Sequence, residues 1–140
     1  MRKAFIDANV LVSVLNKEYP LFTHSSRLLS LADRDCYELY TSSLCLAIAF
    51  YFSCKKSGEQ LAKRKIQLLN DRLKIVSITQ KAVDMALENP QIHDLEDGFQ
   101  YYAALEGGCH YMITENQVDF FFADIEVFGS EDFLIQKVFK

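Results

Sequence analysis

The sequence predicts an α/β fold, a three-layer α/β/α sandwich with a central, mostly parallel sheet, in a single domain covering 1–140. Three observations predict it. Short apolar runs of strand length alternate with longer helical patterns from end to end. No linker, repeat or low-complexity segment interrupts them. The chain has 140 residues, half of them apolar and 24% charged, which is enough for one well-formed core.

Residues 2–6 read as a short buried strand, and Val10–Lys17 as a helix. Leu21–Arg34 reads as a second helix, with Leu28, Leu29 and Leu31 apolar. Residues 36–41 alternate as a strand, and Ser43–Lys56 is an apolar helix that Gly58 breaks. Glu59–Asp71 follows as an amphipathic helix, then a strand at 73–78. Thr79 is placed to cap a helix over Lys81–Glu88, and Asp94 to cap another that runs to about Glu106, where Gly107 and Gly108 end it. Residues 109–113 and 125–128 read as strands, and Ser130 is placed as the cap of a C-terminal helix.

In an open parallel sheet, ligands bind beyond the carboxyl ends of the strands. Asp7 directly follows the first strand, and Ser42 and Ser43 the second. Thr114, Asn116 and Asp119 follow the strand at 109–113. Asp94, Glu96 and Asp97 open a helix that can aim its first turn at the same edge. Capping accounts well for Asp7 and Asp94, and acids in a first turn favour the positive end of a helix by about 0.3–1 kcal/mol each. It accounts less well for Asp7, Asp97 and Asp119 all falling at one edge. Carboxylates gathered there repel one another unless protonated or joined by a cation. Hard oxygen donors suit Mg²⁺ or Mn²⁺, and such a site serves phosphodiester hydrolysis.

The composition narrows the alternatives. A net charge of −4 argues against a dedicated nucleic-acid-binding module, whose phosphate contacts call for a basic surface. It argues less against a nuclease, whose site needs acids. Cys36, Cys45, Cys54 and Cys109 show no zinc-ligand spacing, so free thiols in a reducing cytoplasm are expected. An acid at position 7 comes too soon for a signal-peptide apolar region, and no apolar run is long enough to span a membrane. No glycine-rich phosphate loop is present, which counts against a nucleotide-binding protein.

The opening FIDANVLV, the middle segment TSSLCLAIAFYF and the stretch DLEDGFQYYAALEGGCHYMITENQVDFF together resemble the PIN domain family, in a bacterial branch that includes toxins of the VapC type. The likeness covers 2 to about 134 and lies in the order and spacing of its parts. It implies a metal-dependent endoribonuclease in which Asp7, Asp97 and Asp119 bind Mg²⁺ or Mn²⁺. It implies supporting roles for Asp94 and Glu96 as neighbouring acids, for Asn9, Thr114 and Asn116 as hydrogen-bonding partners, and for Ser43 at the rim. An RNA substrate, an antitoxin protein covering the acidic groove and a homodimer are the implied partners.

Two positions depart from the family pattern. Ile48 aligns where many members carry a Glu on the middle helix, and Glu115 stands where a basic residue is common. The first puts metal affinity in doubt, and the second adds negative charge beside a phosphate site. The alternative is therefore a weakened or inactive PIN scaffold that acts as a nucleic-acid- or protein-binding regulator.

The remaining features are expected to be structural. Lys55, Lys56, Lys63, Arg64 and Lys65 read as a solvated helical face, with steering of RNA as the sharper alternative. His24 and His110 carry no catalytic pattern, and His93, which precedes the acidic helix, reads as a surface histidine, with contact to substrate as the sharper alternative. Phe120, Phe121 and Phe122 cannot all point inward, so at least one is expected at the surface as a contact.

Overall fold

The computed structural model describes residues 1–139. Five strands form one parallel sheet in the order β3-β2-β1-β4-β5. They are β1 (Arg2–Ile6), β2 (Tyr37–Ser42), β3 (Lys74–Val76), β4 (Tyr111–Ile113) and β5 (Glu126–Phe128). β1 lies in the middle, with Ala4 opposite both Leu39 and Tyr111. Ala4, Phe5 and Ile6 are completely buried, as expected of a central strand covered on both faces.

Parallel neighbours need crossovers, and helices supply them. The helices are α1 (Ala8–Leu15), α2 (Leu21–Ser30), α3 (Ser43–Ser57), α4 (Glu59–Arg72), α5 (Gln80–Glu88), α6 (Leu95–Glu106) and α7 (Ser130–Phe133). α1 packs on α2 and α3, α3 on α4, and α2 on α7. α5 and α6 pair with each other, and α6 rests on β2 and β3. The expected three-layer sandwich is thus the observed architecture. None of the described helices is long and apolar enough to cross a membrane.

Local chemistry explains most boundaries. Ser42 accepts from the Cys45 N–H at 3.1 Å and starts α3. Thr79 accepts from the Ala82 N–H at 3.1 Å and starts α5. Each such cap contributes about 1 kcal/mol. Gly58 separates α3 from α4 with φ of 83°, a conformation that glycine adopts without strain. Gly107 ends α6 where a Cβ would lie 2.6 Å from the Val76 side chain, so the close approach of α6 to β3 depends on it.

Several boundaries differ from the expectation. α1 begins at Ala8, because Asp7 caps it directly. The second helix stops at Ser30 and tightens into a 3₁₀ turn at Leu31–Asp33. The strands expected at 73–78 and 109–113 shorten to three residues each, since only those find ladder partners. Ser130 is not the cap of α7: Gly129 holds that position, and the Ser130 hydroxyl is buried without a partner. The C-terminal turn continues through Leu134–Val138 with wider π-type bonding.

Candidate active site

Asp7 sits at the carboxyl end of the central strand with an extended backbone, φ −74° and ψ 159°. Its Oδ1 accepts from the Ala8 N–H at 2.8 Å, and its Oδ2 accepts from the Thr114 hydroxyl at 2.9 Å. The Cys45 thiol donates weakly to Oδ1 at 3.9 Å from α3. The Thr114 oxygen also accepts from Asn9 Nδ2 at 3.0 Å and from the Asn116 N–H at 3.1 Å. Asn9 Oδ1 in turn accepts from the Glu115 N–H at 3.1 Å. Residues that follow β1 and residues that follow β4 are therefore laced together around one carboxylate. Of Asn9, Thr114 and Asn116, only Thr114 bonds a carboxylate; Asn9 reaches Thr114 through its side chain and Asn116 through its backbone N–H.

The other acids come from two further elements. Asp94 caps α6, accepting from the Glu96 N–H at 2.9 Å, and Glu96 and Asp97 occupy its first turn. Asp119 lies on the 3₁₀ turn Gln117–Phe120. Asp7, Asp94, Glu96, Asp97 and Asp119 all line one hollow of about 350 Å³, together with Asn9 and Asn116. The three aspartates singled out from the sequence all line this hollow. Ser43 does not join them: it is exposed outside the hollow, and its neighbour Ser42 is buried beneath. Ser42 donates to Gln100 Oε1 at 2.6 Å and ties the start of α3 to α6.

The crowding appears in the titration of the group. Burial, followed by the charges of Asp94, Asp7, Asp119 and Glu96, pushes Asp97 up to about 7. Burial also raises Asp7, against the lowering effect of its bonds to Ala8, Thr114 and Cys45. Glu96 is raised by burial and then by Asp94 and Asp7. A cluster of hard oxygen donors that resist ionising together fits a divalent cation. Among the described residues, no three His, Cys, Asp or Glu side chains stand close enough to share an ion. Asp7, Asp97 and Asp119 line the hollow in which such an ion could sit.

The opposite wall of the hollow is Val12, Ile48 and Phe52, with Glu18 at its edge. Ile48 lines the same hollow as the acids, so the position expected to align with a Glu contributes no carboxylate to it. Glu18 was not foreseen. It follows Lys17, whose φ of 49° turns the chain after α1, and no motif marks such a turn. Glu115 corrects the other expectation. Its Oε1 accepts from the Ser130 N–H at 2.7 Å at the start of α7, and it is not among the residues lining the hollow. Its carboxylate satisfies a helix end instead of opposing a phosphate.

His24 and His110 are structural, and His93 is exposed just before Asp94. His24 Nε2 lies 3.4 Å from Glu131, and His110 Nδ1 accepts from the Lys3 N–H at 3.2 Å. Lys56 donates to the Asn16 carbonyl, and Lys65 donates to the Leu15 carbonyl and to Ser57, each at 3.0 Å. Two of the five basic residues, Lys56 and Lys65, thus fasten α3 and α4 to the end of α1. A separate hollow of about 240 Å³ between α1, α2 and α4 is mainly apolar, with Leu15, Leu29 and Leu68 in its wall and no acid.

Known proteins place this arrangement. Ribonuclease VapC1 of Aquifex aeolicus (strain VF5) is 29% identical over 135 residues, which span 94% of this chain and 92% of the relative. A chain of VapBC-1 from nontypeable Haemophilus influenzae superposes with a TM-score of 0.68 at 17% identity, covering 92% of this chain and 98% of that one. A chain of VapBC2 from Rickettsia felis, solved bound to a DNA fragment from its promoter, gives 0.66 at 20% identity, covering 90% and 96%. At those identities the two structures speak for the fold. The sequence pattern described as PIN domain matches residues 3–118, most of the chain. With the parallel sheet and the acidic hollow at its carboxyl edge, that match makes the chain a member of the PIN domain family.

Proposed function

We propose that this protein is a divalent-metal-dependent endoribonuclease of VapC type, the toxin of a toxin–antitoxin pair. The observation that carries it is the convergence of Asp7, Asp97 and Asp119 on one hollow at the carboxyl edge of the sheet. The likeness to Ribonuclease VapC1 over nearly both full lengths supports the choice of RNA, and the VapBC structures support an antitoxin partner.

Mg²⁺ or Mn²⁺, when bound, supplies the charge that offsets a scissile phosphate and makes water a better nucleophile at neutral pH. The rest falls to the chain. Asp7, held by Thr114 and Ala8, presents a fixed carboxylate. Asp97 and Asp119 complete the donor set, and Asp94 and Glu96 add negative charge that draws a cation in. Asn9 and Asn116 keep the Thr114 hydroxyl aimed at Asp7. With no cation bound, burial and the neighbouring acids hold Asp97 above the usual carboxylate range, and a bound cation would favour its ionised form.

The test is cleavage of RNA by the purified protein with Mn²⁺ or Mg²⁺ and with chelator. Cleavage that needs the metal and is lost in Asp7→Asn is the expected result. Full activity in that variant would remove Asp7 from the chemistry. Light scattering of the same preparation tests the homodimer, and co-expression with the product of an adjacent short reading frame tests the cytoplasmic antitoxin complex.

A second reading, a binding regulator on a decayed site, is favoured by Ile48 in the wall of the hollow and by the open spacing of the acids. Thermal unfolding with millimolar Mn²⁺ separates the two, because a ligand of the folded form raises its melting temperature.

A further inference from the structure

Beside the acidic hollow lies a second one of about 300 Å³, and the two share Asp94, Asp97 and Asp119. Its other wall is His93, Val118 and Phe121. Phe121 is 60% exposed between two buried neighbours, Phe120 and Phe122. Its ring stacks on His93, with centroids 6.0 Å apart and planes at 28°. Val118, next to them, is 85% exposed.

The turn explains why one of three successive phenylalanines points outward. It does not explain a flat ring pair left open to water at the lip of a carboxylate site. Three acids border this hollow, so a bare phosphate is repelled from it. A planar, uncharged group is not repelled. It can lay its face on Phe121 while N–H donors on its edge reach the carboxylates. A nucleobase has both properties, and stacking on an aromatic ring is how proteins hold unpaired bases.

We propose that His93, Phe121 and Val118 form a stacking subsite for one unpaired base of a single-stranded RNA, next to the phosphate that a cation at the aspartates would bind. The subsite rests on the ribonuclease reading, since continuity with that pocket names its occupant. A base held there fixes the strand without phosphate contacts, which suits a protein with net charge −4.

The chain has no tryptophan, so Phe121→Trp places a single reporter in the subsite. With the aspartates intact and Ca²⁺ in place of Mg²⁺ to slow cleavage, a short single-stranded RNA should quench its fluorescence saturably, and an abasic strand of equal length should not. Equal quenching by both strands overturns the proposal. No quenching by either also overturns it and leaves the ring pair to a protein partner. In cleavage assays on the otherwise native chain, Phe121→Ala should lower kcat/KM about tenfold or more, chiefly through KM, with an unchanged melting temperature. Phe121→Tyr should restore it. An unaltered kcat/KM in Phe121→Ala refutes the subsite while leaving the nuclease in place. If the unmodified protein cleaves no RNA, the nuclease reading fails, and the quenching experiment decides the subsite alone.

Discussion

The Thr114 hydroxyl donates to Asp7 Oδ2 at 2.9 Å, joining residues 107 positions apart at the ends of two neighbouring strands. Both residues are buried, and the same oxygen takes two further donors from Asn9 and Asn116. Thr114 is therefore the fixed point from which the most buried acid of the site is aimed.

Thr114→Val keeps the shape and removes the hydroxyl. Asp7 loses a donor, and Asn9 Nδ2 and the Asn116 N–H lose their acceptor. The expected cost is about 1–3 kcal/mol of stability, the usual penalty for stranding buried polar groups. Urea unfolding measures it. Thr114→Ser should recover most of the loss, and a valine variant as stable as the parent would show the cluster to be dispensable.

Asp97 sets a pH dependence for the metal-free protein. Its folded-state pKa, about 7, stands above the ordinary 3.8. Between these values the folded chain holds a proton that the unfolded chain has released. Stability therefore falls as pH rises from about 4 to about 7, and this contribution flattens above. Asp97→Asn removes it, so with chelator at pH 8 that variant should melt higher than the parent. It should also lose the stabilisation that Mn²⁺ gives. Urea midpoints at pH 5 and pH 8 check the first part, and a metal titration checks the second.

Ile48→Glu introduces a carboxylate into the hollow that the aspartates line. In chelator it should destabilise by about 1–2 kcal/mol, from partial burial and repulsion. With Mn²⁺ the order should reverse, and the rise in melting temperature should exceed that of the parent. Equal metal shifts in the two proteins would show that position 48 does not reach the ion.

The four thiols should react in the order of their surroundings. Burial pushes Cys45 up to about 12, with Asp7 adding to the shift, and burial also pushes Cys109 up to about 12. Cys36 is exposed, and Cys54 lies between. Brief alkylation at pH 8 followed by peptide mass analysis should label Cys36 first and leave Cys45 and Cys109 until the chain unfolds. Early labelling of Cys45 would mean that the floor beneath Asp7 opens readily.

What could be read from the sequence was local. The caps at Asp7, Thr79 and Asp94 follow from side-chain chemistry within three residues, and each makes the expected kind of bond. The sheet edge was legible because strand ends are marked by the switch from apolar to polar residues. Glu18 entering the hollow, Glu115 turning toward α7 and Ser43 staying out of the site were not legible. Each depends on how distant segments dock, and the turn at Lys17 or the Ser130 N–H leaves no trace in nearby spacing. The place of Phe121 was half legible. Crowding demanded one outward ring, but its stacking on His93 joins residues from separate turns.

The first strand is also the middle one, and this orders events as the chain is made. Residues 2–6 are made before both of their strand partners, and one of these, 111–113, comes more than a hundred residues later. Until then Asp7 is present without Thr114 or Asp119. A chain cut short before that point has an open central edge and an incomplete set of acids. Under the catalytic proposal, a copy that stops there lacks Asp119 and cannot assemble its full set of metal ligands.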